Sequence, residues 1–159
     1  MTRAPLLRTP NQGLTVAVVG DVYRFLATGE ETNGKYAMWE AWVSPGGGPP
    51  PHIHEREEEG FYVLEGEITF HIGDERVIAT QGMFANMPVG KAHAFKNESD
   101  YPARMLISVS PAGLEKMFME VGVPLPPGTT TAPPPTREEI DRLLAVAPRY
   151  GVEILIPDH

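Results

Sequence analysis

The chain has 159 residues, no cysteine, 42% hydrophobic and 21% charged residues, and a formal net charge of -8 at pH 7. This is enough chain for one globular domain with a real core but not for two full β-barrels. The acidic balance excludes the basic footprint that nucleic acid requires, no apolar run reaches membrane-span length, and the lack of cysteine removes disulfides and fits the cytoplasm.

Residues 1–13 contain Pro5, Pro10 and Gly13 and read as an irregular arm anchored by Leu6 and Leu7. The run Leu14 to Val19 is short, is followed by Gly20-Asp21 and has no cleavage site, so it reads as strand and not as a signal peptide. Up to Ser110 the pattern is short β-rich runs broken by Gly, Pro, Asn and Asp. The candidate strands are Leu14–Ala27, Tyr36–Val43, Phe61–Glu65, Glu67–Ile72, Arg76–Ala79, Met83–Met87, His93–Asn97 and Ala103–Val109. That number of short strands points to an all-β sandwich or barrel. The segment Gly46-Gly-Gly-Pro-Pro-Pro51 is a stiff approach to the next strand and shapes the barrel mouth.

After Pro111 the texture changes. Leu114, Met117, Phe118 and Val121 make one apolar helical face within 112–121, expected to pack on the outside of a sheet. Val123 to Pro135 is a loop, and Thr136-Arg-Glu-Glu139 is a capping box opening a second helix with Ile140, Leu143, Leu144 and Ala147. Val152 to Ile156 closes the chain as a strand. The expected organisation is an arm over 1–13, a barrel over 14–110 and a helical extension over 111–159 packed on the barrel.

Two strings carry the chemistry. His52, His54, Glu59 and Gly66 fall in the pattern H-x-H-x4-E-x6-G, and Gly82, Pro88, Gly90, His93 and Asn97 in G-x5-P-x-G-x2-H-x3-N. On a strand His52 and His54 share a face and can reach one ion. Glu59 has the wrong parity for one continuous strand, so the chain is expected to turn or bulge within Glu55–Glu58. His93 then returns on a neighbouring strand. Neutral imidazole and carboxylate suit a divalent first-row ion, and without cysteine no thiolate site is available. His71 and His159 are read as ordinary polar residues.

Both strings resemble the two signature motifs of the cupin family, and the tail, including Arg149 to Leu155, is similar to that of single-barrel cupins of the quercetin dioxygenase type. The resemblance implies an all-β fold, a double-stranded β-helix or jelly-roll barrel with short C-terminal helices. It implies His52, His54, Glu59 and His93 as ligands of one divalent transition ion (Fe, Mn, Ni, Co or Zn). Glu59 is favoured over Glu58 by its distance to Gly66.

Four protein ligands fill a tetrahedral zinc site, whereas a six-coordinate ion keeps two positions open for a chelating substrate and dioxygen. Phe61, Val63, Phe84 and Phe95 are the first candidates for an apolar pocket, followed by Met83, Met87, Trp39 and Trp42. The expectation is a dioxygenase-type oxidoreductase for a small hydroxylated, flavonol- or diketone-like compound, with Glu59 as ligand and catalytic base, in a homodimer. A non-catalytic small-molecule-binding module and a metal-dependent isomerase or lyase are the alternatives, because one fold hosts many chemistries.

Overall fold

A computed structural model describes residues 3–155. Two antiparallel sheets face each other. The first runs β11-β1-β2-β3-β10-β5-β8, built from Val123–Pro124, Thr15–Val18, Asp21–Ala27, Ala37–Val43, Ala103–Ser110, Glu58–Glu65 and Phe84–Met87 respectively. The second runs β12-β4-β9-β6-β7, from Val152–Ile154, His52–His54, His93–Lys96, Glu67–Ile72 and Glu75–Thr80. This is a jelly roll: β4 pairs with β9 and β3 with β10, so strands distant in sequence are neighbours in the sheets.

Alternation along the strands builds the core. In β10 every second residue is buried, and Met105, Ile107 and Val109 meet Trp39, Phe61 and Phe70 between the sheets. Each such side chain contributes about 1.5–3 kcal/mol by leaving water.

The run Leu14–Ala27, expected as one strand, is instead the hairpin of β1 and β2. Val18 pairs with Asp21 around a two-residue turn in which Val19 and Gly20 both have positive φ, 47° and 91°. That is the pattern of a type I′ turn, whose twist matches the flanking strands. A β-branched residue in the first position is strained, so turn chemistry gave no warning of it.

The loop expected over 123–135 begins with β11, which pairs with β1. Helix Leu114–Val121 (α1) precedes β11 and helix Arg137–Val146 (α2) comes after it, and α2 opens with the complete capping box of Thr136 and Glu139. Leu114, Met117 and Val121 of α1 belong to the main core and do not merely pad an outer face. A short 3-10 turn over Ala147–Tyr150 leads into β12, which pairs with β4 and so braces the strand carrying His52 and His54. Ile156 and His159 lie outside the described residues. The arm is not held by its leucines, since Leu7 is 89% exposed; Arg8 anchors it, bonding the Leu26 carbonyl and the Glu31 carboxylate. No helix among the described residues is long and apolar enough to cross a membrane.

Candidate metal centre

His52, His54, Glu59 and His93 converge on one buried point, with one donor atom from each within 4.8 Å of all the others. Three strands, β4, β5 and β9, supply them. His52 pairs directly with His93 across β4 and β9, which puts both imidazoles on the inner face of the second sheet. After His54 the chain leaves that sheet, bends at Glu55-Arg56 and enters β5 in the opposite sheet. Glu59 therefore arrives from across the sandwich, and its odd spacing from His54 reflects a change of sheet instead of a bulge within one strand. Glu58, one residue earlier in β5, is exposed and accepts from Asn86 Nδ2 at 2.9 Å, away from the cluster.

Backbone contacts fix this arrangement. Gly90 N donates to the His54 carbonyl at 2.9 Å, tying the turn before β9 to the end of β4. Gly46 N and Asn97 N bond across to Asn97 O and Gly47 O, and the Asn97 side chain donates to the carbonyls of Val43 and Tyr101. The asparagine of the second motif is thus a structural clamp on the glycine-rich approach. Gly48 lies so close to β9 that a Cβ there would come 2.1 Å from Phe95 O.

The hydrogen bonds decide the tautomers. His52 Nδ1 lies 2.8 Å from Pro50 O and His93 Nδ1 2.9 Å from Lys91 O. A carbonyl only accepts, so both Nδ1 atoms carry the proton, and in the neutral rings Nε2 presents a lone pair. His52 Nε2 then faces His54 Nε2 at 3.1 Å, and His93 Nε2 faces Glu59 Oε1 at 3.2 Å, as does His54 Nε2. Lone pairs and an anionic oxygen crowded at that range call for positive charge among them, from extra protons or from a cation. The donor set, all nitrogen and oxygen, fits a divalent first-row ion.

Ionisation follows the same logic. Burial, then the neighbouring His54, pushes His52 down to about 4. Burial works against ionisation of Glu59, yet when the rings of His54 and His93 take up an extra proton, their Nε2–H groups and positive charge overcome it and hold the carboxyl down at about 2. His54 is raised, because the hydrogen bond and charge of Glu59 outweigh burial. Glu57 was missed from sequence; it is 3% exposed behind His54, and burial raises its carboxyl.

A cavity of about 80 Å³ opens beside the cluster, lined by His52, His54 and Glu59 together with Trp39, Phe95, Ile107, Phe118 and Leu143 among others. Of the expected pocket residues, Phe95 and Trp39 line it, while Phe61 sits edge-on to His93 with ring centres 6.1 Å apart. Val63 and Met87 are core residues. Phe84 and Met83 do not belong to the pocket at all: they are 65% and 42% exposed, Phe84 because it alternates with the inward-facing Ala85 and Met87 along β8, and Met83 because it lies in the turn before that strand. Trp42 is partly buried and not among the lining residues. His71 bonds Glu98 at the surface.

The cupin domain model matches residues 39–109, which span the cluster and both motifs. Among curated proteins the chain is 24% identical over 120 residues to quercetin 2,3-dioxygenase of Bacillus subtilis (strain 168), covering 76% of this chain and 35% of that protein. It is also 24% identical over 92 residues to the tetracenomycin polyketide synthase protein TcmJ of Streptomyces glaucescens, covering 58% and 62%. The chain therefore spans about a third of the first relative's length and under two thirds of the second's. Among solved structures, an RmlC-like cupin from Shewanella frigidimarina NCIMB 400 aligns with a TM-score of 0.62 at 19% identity, covering 73% of this chain and 99% of that one. Sheet order, motif positions and these matches agree, and the chain belongs to the cupin superfamily.

Proposed function

We propose that the protein holds one divalent transition ion (Fe, Mn, Co, Ni or Zn) through His52, His54, Glu59 and His93, and that it is a dioxygenase-type oxidoreductase for a small hydroxylated compound of the flavonol or diketone kind. The observation that carries the first half is the set of four buried donor atoms within 4.8 Å, two of them on imidazoles whose other nitrogen is committed to a carbonyl. The second half is supported by the apolar cavity beside the cluster and by the likeness to a quercetin 2,3-dioxygenase. A bound ion supplies Lewis acidity and a template for a chelating substrate and dioxygen.

The chain's own groups do the rest. His52 and His93 present preset lone pairs, Glu59 would supply the anionic ligand, and the apolar walls keep bulk water away from the site. Glu59 is also a cavity-lining carboxylate that could accept a proton from a substrate hydroxyl. Its strong ionisation favours the ligand role over the base role, since an effective base has a pKa near the working pH.

The test is oxygen uptake by protein reconstituted separately with each metal, against flavonols, diketones and catechols. Oxygen consumption matched to product supports the dioxygenase. Product without oxygen consumption replaces it with an isomerase or lyase, and tight binding without product replaces it with a binding module.

A further inference from the structure

The cavity beside the cluster is lined by further polar groups. Among the described residues, five buried side-chain atoms lack a hydrogen-bond partner, and three of them belong to residues that line this cavity: His54 Nδ1, Asp21 Oδ1 and Trp39 Nε1. Unpartnered buried atoms are rare because each costs the desolvation of that group. His54 belongs to the cluster already described. Asp21 and Trp39 do not, and no hydrogen bond of the fold uses these two atoms.

The local fold brings Asp21 there. It is the first residue of β2, straight after the strained Val19-Gly20 turn, and its side chain shares the inner face with Tyr23 and Phe25. It is 3% exposed. The glycine-rich approach leaves room for it, since a Cβ on Gly47 would stand 2.5 Å from Asp21 Oδ1. Trp39 is 1% exposed on β3, packed against Tyr23, Phe25 and Phe118 with ring centres 5.3–6.0 Å away. Asp21 lines both this cavity and the wider outer cleft bounded by Gly46–Pro51, Pro135 and Ile140, so it stands on the wall between them.

We propose that Asp21 and Trp39 are a second polar anchor, specificity-determining residues that hydrogen-bond a hydroxyl or carbonyl oxygen of the ligand remote from the oxygens that meet the metal. The inference rests on the chelating-ligand reading above and narrows it: the ligand carries chelating oxygens at one end, an apolar body, and at least one further oxygen. About 80 Å³ suits a small ring or the reacting end of a larger compound whose remainder continues past Asp21 into the outer cleft. Trp39 Nε1 donates and a carboxylate accepts, which together suit a hydroxyl. Burial raises the Asp21 carboxyl to about 8, so at neutral pH it also donates, which suits a carbonyl.

The experiment uses nickel-loaded protein and two probes, catechol and 3,4-dihydroxybenzaldehyde, which share the chelating oxygens and differ by one remote carbonyl. Affinities are measured by calorimetry for the wild type, Asp21→Leu and Trp39→Phe, with metal content and Tm alongside. The wild type should favour the aldehyde, and each variant should weaken the aldehyde by about tenfold, the scale of a lost buried hydrogen bond, while catechol binding and metal content hold within about twofold. Asp21→Leu should melt no lower than the wild type, since it removes an unpartnered carboxyl. Equal loss for both probes would assign the residues to cavity shape and overturn the anchor while sparing the chelation reading. Wild-type protein that holds nickel but binds neither probe overturns the chelating-ligand reading and the anchor with it. Should Asp21→Leu fail to fold, Trp39→Phe, which keeps an aromatic ring in the cluster, carries the same comparison.

Discussion

His54 Nδ1 and Glu57 Oε2 face each other across 3.9 Å, both buried and neither with a hydrogen-bond partner. With Nε2 directed at the cluster, the neutral His54 ring carries its proton on Nδ1, and Glu57 is the carboxylate placed to receive it. Carboxylate behind imidazole is a common support for metal-binding histidines, fixing the ring's tautomer and strengthening its donor nitrogen.

Glu57→Gln should therefore weaken metal retention by about 10- to 100-fold against a competing chelator, although Glu57 does not reach the cluster itself. Glu58→Gln, one residue on and exposed, should change retention by less than about twofold. Equal effects from the two substitutions would remove Glu57 from any positioning role.

Direct loss of a donor has a larger signature. If metal binds the folded chain only, excess metal at about 100 times Kd adds about 2.7 kcal/mol, or about 5–10 °C in Tm for a chain of this size. The wild type should show that rise with each of Fe, Mn, Co, Ni and Zn that it binds. His93→Ala should lose the stoichiometric ion and most of the rise. A wild-type Tm indifferent to all five ions would sink the ligand assignment.

Asp21 gives the protein a pH dependence of its own. Its carboxyl is raised from 3.8 to about 8 by burial. Between those values the folded state keeps a proton that the unfolded chain has released. The stability tied to that proton is complete below about 3.8 and is lost as pH rises through about 8. Asp21→Asn removes this dependence, so denaturant titrations should show the variant gaining on the wild type by several kcal/mol, in order of magnitude, between pH 5 and pH 8. Parallel stability curves would show that Asp21 is not buried as described.

How much of this was legible in the sequence depended on whether the partner was local. His52, His54, Glu59 and His93 stood out because their motif spacings are encoded along the chain, and the Thr136 capping box because its two bonds close within four residues. Asp21 and Glu57 left no comparable trace. Asp21 looks like any acidic residue after a glycine, and it becomes unusual only when β2 is laid against β3 and the Gly46–Gly48 segment. Glu57 sits in a run of acids whose members point alternately into the sandwich and out to solvent. The misplacement of Phe84 has the same origin: an apolar residue beside a motif reads as pocket until strand pairing puts it opposite Tyr62 on the outer face of its sheet.

The strand of Phe84, β8, is a sheet edge and motivates the last prediction. β11 and β12, strands of two and three residues, form the edges beside β1 and β4, so short tail strands blunt one end of each sheet. At the other ends lie β8 and β7, joined by only the three residues between Thr80 and Phe84, so the two open edges share one flank of the molecule. That flank carries Phe84 paired with Tyr62, exposed by 65% and 41%, together with Val77, Ile78 and Met83. An apolar edge of this kind invites pairing with another chain, and closed two-fold symmetry is the commonest outcome. We expect a symmetric homodimer through this flank, seen by sedimentation equilibrium at micromolar concentration. Phe84→Glu should yield a folded monomer with unchanged far-ultraviolet dichroism and metal content, because Phe84 lies outside both core and cavity. A wild-type monomer at those concentrations would refute the dimer, and a Phe84→Glu protein that remains dimeric would move the interface to another face.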